Sequence, residues 1–568
     1  MVLKLMIKIV DSMMEKVSPA KYDPVGLGKA YWDFWSGVML APGKFMAQNM
    51  ELAADQLKLM SYGLKKVGGL EADAAALPEK GDRRFSNPAW SEQLMFDLIK
   101  QSYLLTSKHV MKTVGGADLE AHEQRKLDFY TKQMMDALSP SNFAATNPEV
   151  LQAIAESKGG SIVKGLKNLA GDFIEGGGKL KISMVDKSKF EVGVNIATTP
   201  GKVVFQNDLM QLIQYTPTTE KVFEKPLVIF PPWINKFYIL DLGPKNSFIK
   251  WAVSKGYSVF VVSWVNPDES LTHKTFEDYM NEGIFGALDA IQEATGVEQV
   301  NAIGYCIGGT LLSCALSVMA ETGDERIGSA TFFTAQVDFS EPGDLEVFID
   351  EAQLDSLDKK MAETGLLDGK DMGTAFNMLR ANDLIWSYVV NNYLLGKSPA
   401  AFDLLYWNGD STRMPAAMHS FYLREMYLHN KLVEPGGITM NGIPVDLTNI
   451  DIPVFLQSGK DDHIAPYGSV YKATHHYSGP VTFMLAGSGH IAGVVNPPSA
   501  NKYYHYTNTE VPEDVEDWIE GAEYHEGSWW PYWHQWLYRK SGKKVAARTP
   551  GEGGLAAIED APGSYVKG

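Results

Sequence analysis

A cysteine between two glycines is the clearest chemical feature of the sequence. Cys306 stands between Gly304 and Gly308, after an apolar run and before the helix-compatible run that begins at Ile307. Strand, tight turn and helix in this order form a nucleophile elbow, with cysteine where Gly-x-Ser-x-Gly enzymes place serine. A Cβ at either glycine would collide with the strand or the helix, and the helix N-terminus favours an anion. A glycine-rich turn around a buried structural cysteine is the alternative.

A nucleophilic cysteine needs a base, and the base needs a group that orients it. In α/β-hydrolases the acid and then the histidine follow the nucleophile along the chain, on loops after later strands. The sequence supplies both in that order. Asp461 and Asp462 follow the apolar run 453–457, and His490 follows the run 481–485 on a Gly-Ser-Gly loop. We predict that His490 is the base and Asp462 the acid, with Asp461 as the competing choice.

The oxyanion hole is expected to use two main-chain N–H groups. One belongs to Ile307, and the other comes from the turn after the strand that ends at Phe230, near Trp233 or Ile234, of which we favour Ile234. Candidates for the substrate pocket are the side chains of Trp233, Tyr238, Asp241 and His463. Packing and capping are the alternative roles for Tyr238 and Asp241, and hydrogen bonding within its loop is the alternative for His463.

Alternating strands and helices must position these residues. Strand-like runs follow one another with helix-length spacers at 227–230, 257–264, 300–303, 329–335, 453–457 and 481–485. This spacing is typical of βαβ units and predicts an α/β protein with a mainly parallel sheet, at residues 189–568. The stretch of about 337–445 lacks strand alternation and is predicted to be an inserted helical cap. Residues 1–188 have helical periodicity and are predicted to form a separate N-terminal domain.

Composition limits the classes of partner and compartment. The chain has 568 residues, 45% hydrophobic residues and a net charge of -18, which disfavours a nucleic-acid partner. The two cysteines, Cys306 and Cys314, lie too far apart along one helix for a disulfide, as expected in a reducing compartment. Residues 1–17 resemble an amphipathic helix more than a signal peptide. No apolar window is long enough for a transmembrane span, so we expect a cytoplasmic protein.

Longer motifs resemble the polyhydroxyalkanoate synthases, and in particular their class I, short-chain type. Two of these motifs are Gly304-Tyr305-Cys306-Ile307-Gly308-Gly309-Thr310 and Gly489-His490-Ile491-Ala492-Gly493. The others lie at 82–90, 141–150, 231–242, 263–268, 402–410, 494–498, 527–531 and 561–567. Because they extend over most of the chain, the resemblance is far more specific than the elbow alone, and it implies the α/β-hydrolase fold with a helical cap.

The resemblance also implies an activity and the residues that perform it. Enzymes of this family polymerise (R)-3-hydroxyacyl-CoA, chiefly 3-hydroxybutyryl-CoA in the short-chain type, and release CoA. By resemblance, Cys306 carries the growing chain as a thioester, His490 is the general base and Asp462 is the triad acid. No cofactor or metal is implied. A homodimer is expected at the surface of storage granules, with granule-coat proteins as further partners, and the N-terminal domain would serve dimerisation, granule association or stabilisation.

A cysteine suits polymerisation because its thioester keeps the reactivity of the CoA thioester, so that a second monomer's hydroxyl can still attack the acyl group. Either His490 or Asp462 could activate that hydroxyl, and the sequence leaves the choice open. One alternative function is a thioesterase, lipase or depolymerase, in which serine is expected at the elbow. Another is an inactive granule-associated scaffold, which would usually have lost a triad residue.

Overall fold

The structure is a computed structural model that describes Phe34 and residues 42–568. The chain divides into two compact units, which are Met1–Asp186 with Thr374–Ala401 and Lys187–Gly373 with Phe402–Gly568. The sequence-based division differs at one place, because residues 374–401, expected in the cap, belong to the first unit. The amphipathic helix predicted at 1–17 lies outside the described residues.

Helices make up most of the first unit and alternate with strands in the second. The α-helices of the described residues are α1 (Pro42–Val67), α2 (Ala89–Glu92), α3 (Leu94–Val114), α4 (Ala121–Ala137), α5 (Pro148–Glu156), α6 (Gly160–Glu175), α7 (Phe248–Ser254), α8 (Phe276–Asp278), α9 (Gly286–Thr295), α10 (Ile307–Thr322), α11 (Glu351–Ala362), α12 (Gly369–Leu379), α13 (Asp403–Asn408), α14 (Ala416–Phe421), α15 (Tyr467–His476), α16 (Val515–Glu520) and α17 (Trp530–Tyr538). Within the described part of the chain, none of the helices has the length and apolar character that crossing a membrane requires.

The strands are concentrated in the second unit. They are β1 (Gly201–Gln206), β2 (Met210–Tyr215), β3 (Lys221–Phe223), β4 (Leu227–Phe230), β5 (Val259–Trp264), β6 (Val300–Tyr305), β7 (Ile327–Phe333), β8 (Leu366–Leu367), β9 (Met414–Pro415), β10 (Thr439–Met440), β11 (Ile443–Pro444), β12 (Val454–Gly459), β13 (Val481–Ala486), β14 (Tyr504–Thr507), β15 (Glu523–Glu526), β16 (Lys544–Ala546) and β17 (Glu559–Asp560).

The first unit is helical, as predicted, and hydrogen bonds explain why residues 374–401 belong to it. The α5 helix begins with Pro148, and the side chain of Asn147 caps it by accepting from two N–H groups of the first turn. The π-helix Val389–Leu394 packs against α6, where the Tyr393 hydroxyl donates to Asp172 at 2.5 Å. A Cβ at Gly165 would lie 1.9 Å from the Tyr393 carbonyl oxygen, so this close approach requires glycine.

A large mixed sheet organises the second unit. Its order is β15-β14-β13-β12-β7-β6-β4-β5-β2-β1-β17. The strands from β5 to β13 in this order are parallel, with Ile303 of β6 opposite Ile229 of β4 and Thr331 of β7. The antiparallel strands β2, β1 and β17 extend one edge, and β14 and β15 extend the other. The predicted α/β-hydrolase fold with a helical first part is confirmed.

Both faces of the central strands are buried, which is why they appear in the sequence as continuous apolar runs. In β4, Val228 and Phe230 face one core while Leu227 and Ile229 face the other. The helices α9 and α10 cover the first face, and α7 and α17 cover the second. Because these strands are parallel, their carboxyl ends lie at the same end of the sheet, where loops from separate parts of the chain converge.

The turn between β6 and α10 depends on close packing of backbone atoms. A Cβ at Gly304 would lie 2.4 Å from the Gly309 Cα, and a Cβ at Gly309 would lie 2.4 Å from the Ala335 Cβ. The helix α10 is thus packed directly on its own strand and on the end of β7. Side chains larger than hydrogen would separate these elements.

We expect Gly304→Ala to destabilise the second unit by about 2 kcal/mol, because the new methyl overpacks a backbone contact. Thermal unfolding followed by circular dichroism measures the effect. Gly243→Ala is the matched control, since a Cβ there meets no heavy atom within 4 Å. Equal unfolding temperatures for the two variants would contradict the proposed packing constraint.

Candidate active site

Cys306 is the single residue that connects β6 to α10. Its φ of 53° and ψ of -128° are strained for an L-residue, at a cost of about 1–3 kcal/mol. The surrounding structure enforces this conformation, since the Cys306 N–H donates to the Phe333 carbonyl at 2.9 Å. The side chain is partly buried. The turn places the sulfur at the N-terminus of α10, where the helix dipole stabilises negative charge.

His490 and Asp462 lie beside the sulfur on the loops after β13 and β12. The ring Nδ1 of His490 is 2.7 Å from Oδ2 of Asp462, and the ring lies close enough to Cys306 for the charge of that residue to act on it. The other carboxylate oxygen of Asp462 accepts from the N–H groups of Ile464 and Ala465, each at 2.9 Å. The structure therefore brings the predicted nucleophile, base and acid together, with the base and the acid joined by a hydrogen bond. The competing residue, Asp461, is exposed.

The electrostatics of this chain favour a proton on the imidazole. Burial by itself lowers the pKa of His490, but the charges of Asp462 and Cys306 and the hydrogen bonds to both raise that pKa well above its ordinary value of 6.5. The Asp462 side chain is fully buried, so its charge is little screened by water. The site is thus suited to hold a proton on the His490 ring.

Two contacts hold the His490 loop in position, and the sequence analysis identified neither of them. The Tyr305 hydroxyl donates to the His490 main-chain carbonyl at 3.2 Å. A Cβ at Gly459 would lie 2.6 Å from the Ser488 carbonyl oxygen, so glycine allows the acid loop and the histidine loop to touch. The position of Tyr305, directly before Cys306 in the elbow motif, is the only sequence signal for its role.

The main-chain donors expected for the oxyanion hole lie next to the elbow. Ile307 is the first residue of α10, and N–H groups of a first helical turn have no partner within the helix. A Cβ at Gly308 would lie 2.3 Å from the Phe230 carbonyl oxygen, which shows that the end of β4 touches the elbow. Ile234, on the loop after β4, accepts from the Thr412 N–H at 3.0 Å through its carbonyl.

The four candidates for the substrate pocket are distributed over different surroundings. Trp233 is buried between Trp264 and Tyr279. Tyr238 is buried and donates from its hydroxyl to Asp410 at 2.7 Å. Asp241 accepts from the N–H and hydroxyl of Thr199, at 3.0 and 2.7 Å. His463 lies on the acid loop and is half-buried.

Of these candidates, Asp241 has the clearest structural role. Burial raises the pKa of its carboxyl, and the hydrogen bonds from Ser247 and Thr199 oppose this shift. These bonds fix the segment before β1 to the loop after β4. Asp241 thus joins two segments of the chain, and these contacts give it a structural role.

Two aromatic side chains of the cap, which the sequence analysis did not single out, lie within range of the charge of Cys306. Tyr422 and Tyr427 belong to the π-helix Tyr422–Leu428, with rings 5.4 Å apart, and both pack on Phe339. Burial raises the pKa of Tyr427, and the charge of Cys306 raises it further. Burial, the neighbouring Tyr427 and Cys306 likewise raise the pKa of Tyr422. This part of the cap thus places buried aromatic side chains within range of the charge of Cys306.

We expect Asp462→Asn to lower the pKa of His490, because it removes the carboxylate that stabilises the imidazolium. Because the pKa of His490 is higher in the folded protein than in the unfolded chain, protonation of His490 stabilises the fold. This stabilisation is complete below the unfolded-state pKa, near 6.5, and is lost as the pH rises through the folded-state pKa. The variant should therefore lose on the order of 3 kcal/mol below pH 6.5 and less at higher pH. NMR titration of the His490 ring and denaturant unfolding across pH measure both effects. Asp461→Asn is the control, and an equal His490 pKa in the two variants would contradict this account.

Two family models match the chain in the regions that build this site and its support. Residues 81–252 match the model described as the N-terminus of poly-beta-hydroxybutyrate polymerase (PhaC). Residues 226–497 match the model of the alpha/beta hydrolase fold, and this range includes the nucleophile elbow, the acid loop and the histidine loop.

Curated relatives are similar over nearly the whole chain. The chain is 50% identical to the poly(3-hydroxyalkanoate) polymerase of Methylorubrum extorquens, over 93% of this chain and 87% of that protein. It is 48% identical to the poly(3-hydroxyalkanoate) polymerase subunit PhaC of Rhizobium meliloti, over 98% of this chain and 90% of the relative. Identity to the PhaC subunit of Cupriavidus necator is 40%, over 97% and 96%. The chain therefore belongs to the poly(3-hydroxyalkanoate) polymerase family.

Proposed function

We propose that the protein polymerises (R)-3-hydroxyacyl-CoA into polyhydroxyalkanoate and releases CoA, through a thioester on Cys306. The observation that carries this proposal is the grouping of Cys306 with the hydrogen-bonded pair His490 and Asp462, in a family whose curated members are named polymerases. Cysteine at the elbow favours polymerisation over a serine-type hydrolase.

In the acylation step, His490 accepts the proton of the Cys306 thiol, and the sulfur attacks the carbonyl carbon of the CoA thioester. The oxyanion receives hydrogen bonds from the N–H groups of Ile307 and Ile234. When the tetrahedral intermediate collapses, the carbon–sulfur bond to CoA breaks. The proton on His490 passes to the departing thiolate, so that free CoA leaves and the acyl group remains on Cys306.

In the elongation step, the 3-hydroxyl of a hydroxyacyl-CoA loses its proton to a base and attacks the acyl carbon of the Cys306 thioester. The carbon–sulfur bond to Cys306 breaks as the new ester forms, and the proton passes from the base to the released sulfur. The extended acyl-CoA then acylates Cys306 again, with loss of CoA. Asp462 is poorly placed to take this proton directly, because its side chain is fully buried and both of its oxygens accept hydrogen bonds within the protein. The hydrogen bond of His490 to Asp462 uses Nδ1, so Nε2 is the ring nitrogen that would accept the proton. This geometry favours His490 as the base in both steps, with Asp462 as its orienting partner.

The cap supports polymerisation over hydrolysis. Water that reached the thioester would release the chain as a free acid. Tyr422, Tyr427 and Phe339 are buried side chains of the cap that pack on one another, and such apolar surface near the thiol would reduce its access to water. The intact triad also disfavours an inactive scaffold, because such a protein has no need of a paired carboxylate and imidazole.

Further properties of the proposed enzyme rest on the family resemblance. We propose that it needs no cofactor or metal, prefers short acyl chains, and acts as a homodimer on granules in the cytoplasm, with granule-coat proteins as possible partners. The N-terminal unit would serve dimerisation or granule association. An exposed apolar row on α1 supports such a role: Met46, Met50, Leu57, Met60, Leu64 and Val67.

We expect Cys306→Ala to abolish both CoA release and polymer formation from (R)-3-hydroxybutyryl-CoA, because no thioester can form. Thiol detection measures the CoA, and extraction into chloroform measures the polymer. Cys314→Ala is the matched control, since this second cysteine is fully buried inside α10 and should leave activity near that of the wild type. Soluble 3-hydroxybutyrate as the main wild-type product would instead establish the hydrolase alternative.

We expect Asp462→Asn to slow acylation and elongation to a similar extent, by about 100-fold or more, if the carboxylate acts through His490. Rapid-quench measurement of the first CoA released reports acylation, and the steady-state rate reports elongation. His490→Gln should slow both steps still further. Loss of elongation with a normal first release of CoA in Asp462→Asn would show that Asp462 activates the hydroxyl itself.

A further inference from the structure

Lys236 is a buried lysine two residues beyond Ile234, on the loop after β4. Its exposed fraction is 3%, and its ammonium donates to the carbonyl oxygens of Val566 at 3.0 Å and of Gly568 at 2.5 Å. The Asp410 carboxylate lies 3.9 Å away. Burial lowers the pKa of Lys236, while Asp410 opposes this shift. A buried ammonium is costly to desolvate, so its contacts with two main-chain oxygens call for an explanation.

The loop that contains Lys236 is also bound along its length to a segment of the cap. The Thr412 N–H donates to the Ile234 carbonyl at 3.0 Å, and the indole of Trp407 donates to the Lys236 carbonyl at 2.7 Å. These bonds attach the loop to the cap. The Lys236 side chain attaches it to the segment 564–568.

The segment that Lys236 contacts is itself firmly docked in the second unit. The side chain of Val566 is 1% exposed, and the Tyr565 hydroxyl donates to the Asn207 carbonyl at 2.7 Å. The Ser564 N–H donates to the amide oxygen of Gln211, on β2, at 3.1 Å. The segment 564–568 is therefore a fixed support and not a loosely attached end.

We propose that Lys236 is a positioning residue. It ties the loop after β4 to the docked segment 564–568 and so fixes the Ile234 N–H for the oxyanion that forms at Cys306. This inference rests on the proposed function, because it assumes that Ile234 stabilises the oxyanion. Electrostatic stabilisation of this kind depends on donors that are already in place before charge develops. A support from a distant part of the chain would supply that rigidity to an otherwise irregular loop.

The test compares two reactions of the same sulfur in the full-length protein. Release of CoA from (R)-3-hydroxybutyryl-CoA requires the oxyanion hole, whereas alkylation of Cys306 by iodoacetamide displaces iodide at a saturated carbon and forms no oxyanion. We expect Lys236→Met to lower kcat for CoA release by about 10- to 100-fold with KM little changed. The rate of alkylation at Cys306, followed by mass spectrometry, should stay near that of the wild type.

A second variant tests whether the docked segment transmits the effect. Val566→Asp places a charge at a buried position and should undock the segment, with a loss similar to that of Lys236→Met. The double variant should be no slower than the slower single variant, because both changes break the same connection. Lys225→Met is the matched control, since Lys225 is a half-buried lysine just before β4, at the opposite end of that strand.

The outcomes separate this inference from the proposed function. Equal losses in CoA release and alkylation would show general damage to the triad, and would overturn the positioning role. Unchanged CoA release in Lys236→Met, or multiplicative losses in the double variant, would overturn it as well. Because the assay counts CoA whether the acyl group ends in polymer or in free acid, a failure of polymerisation would not alter the result for Lys236.

Discussion

The structure depends on how closely α10 approaches the strands beside it. Gly304, Gly308 and Gly309 allow the helix backbone to touch β6, the end of β4 and the end of β7. This packing leaves no room for a longer connection, so Cys306 alone must reverse the chain and accept a positive φ. The strain is enforced by two buried cores on either side of the sheet. In return, Cys306 is held at the N-terminus of α10, next to the N–H groups of its first turn.

Burial makes the charges of the site both effective and costly. A carboxylate as enclosed as that of Asp462 is tolerated because three donors satisfy its oxygens, including the ring of His490. Little water screens the carboxylate, so it stabilises the imidazolium more strongly than an exposed partner would. The same enclosure disfavours direct contact between Asp462 and a substrate, which agrees with the proposed role of Asp462 as the orienting partner of His490.

The sequence predicted those parts of the fold that local pattern determines. The runs 227–230 and 481–485 correspond to β4 and β13 almost residue for residue, because strands buried on both faces are continuously apolar. The predicted nucleophile, base and acid also lie together, since chain order and loop position constrain them. The positions of Tyr422 and Tyr427 near the site could not be inferred from the sequence, because both lie in a part of the cap whose π-helical backbone has no simple periodicity.

Contacts between distant parts of the chain account for the other differences. Residues 374–401 were predicted to belong to the cap, but the Tyr393 hydroxyl and carbonyl contact α6, which lies more than two hundred residues earlier in the chain. Lys236 lies in the motif 231–242 that resembles the family, yet the residues to which its side chain donates hydrogen bonds lie more than three hundred positions later in the chain. Such pairings leave no periodic trace in the sequence. They are nevertheless what makes the irregular loops of the site rigid, and a chain-growing enzyme needs that rigidity because each added unit must meet the same oxyanion donors, the same base and the same exclusion of water.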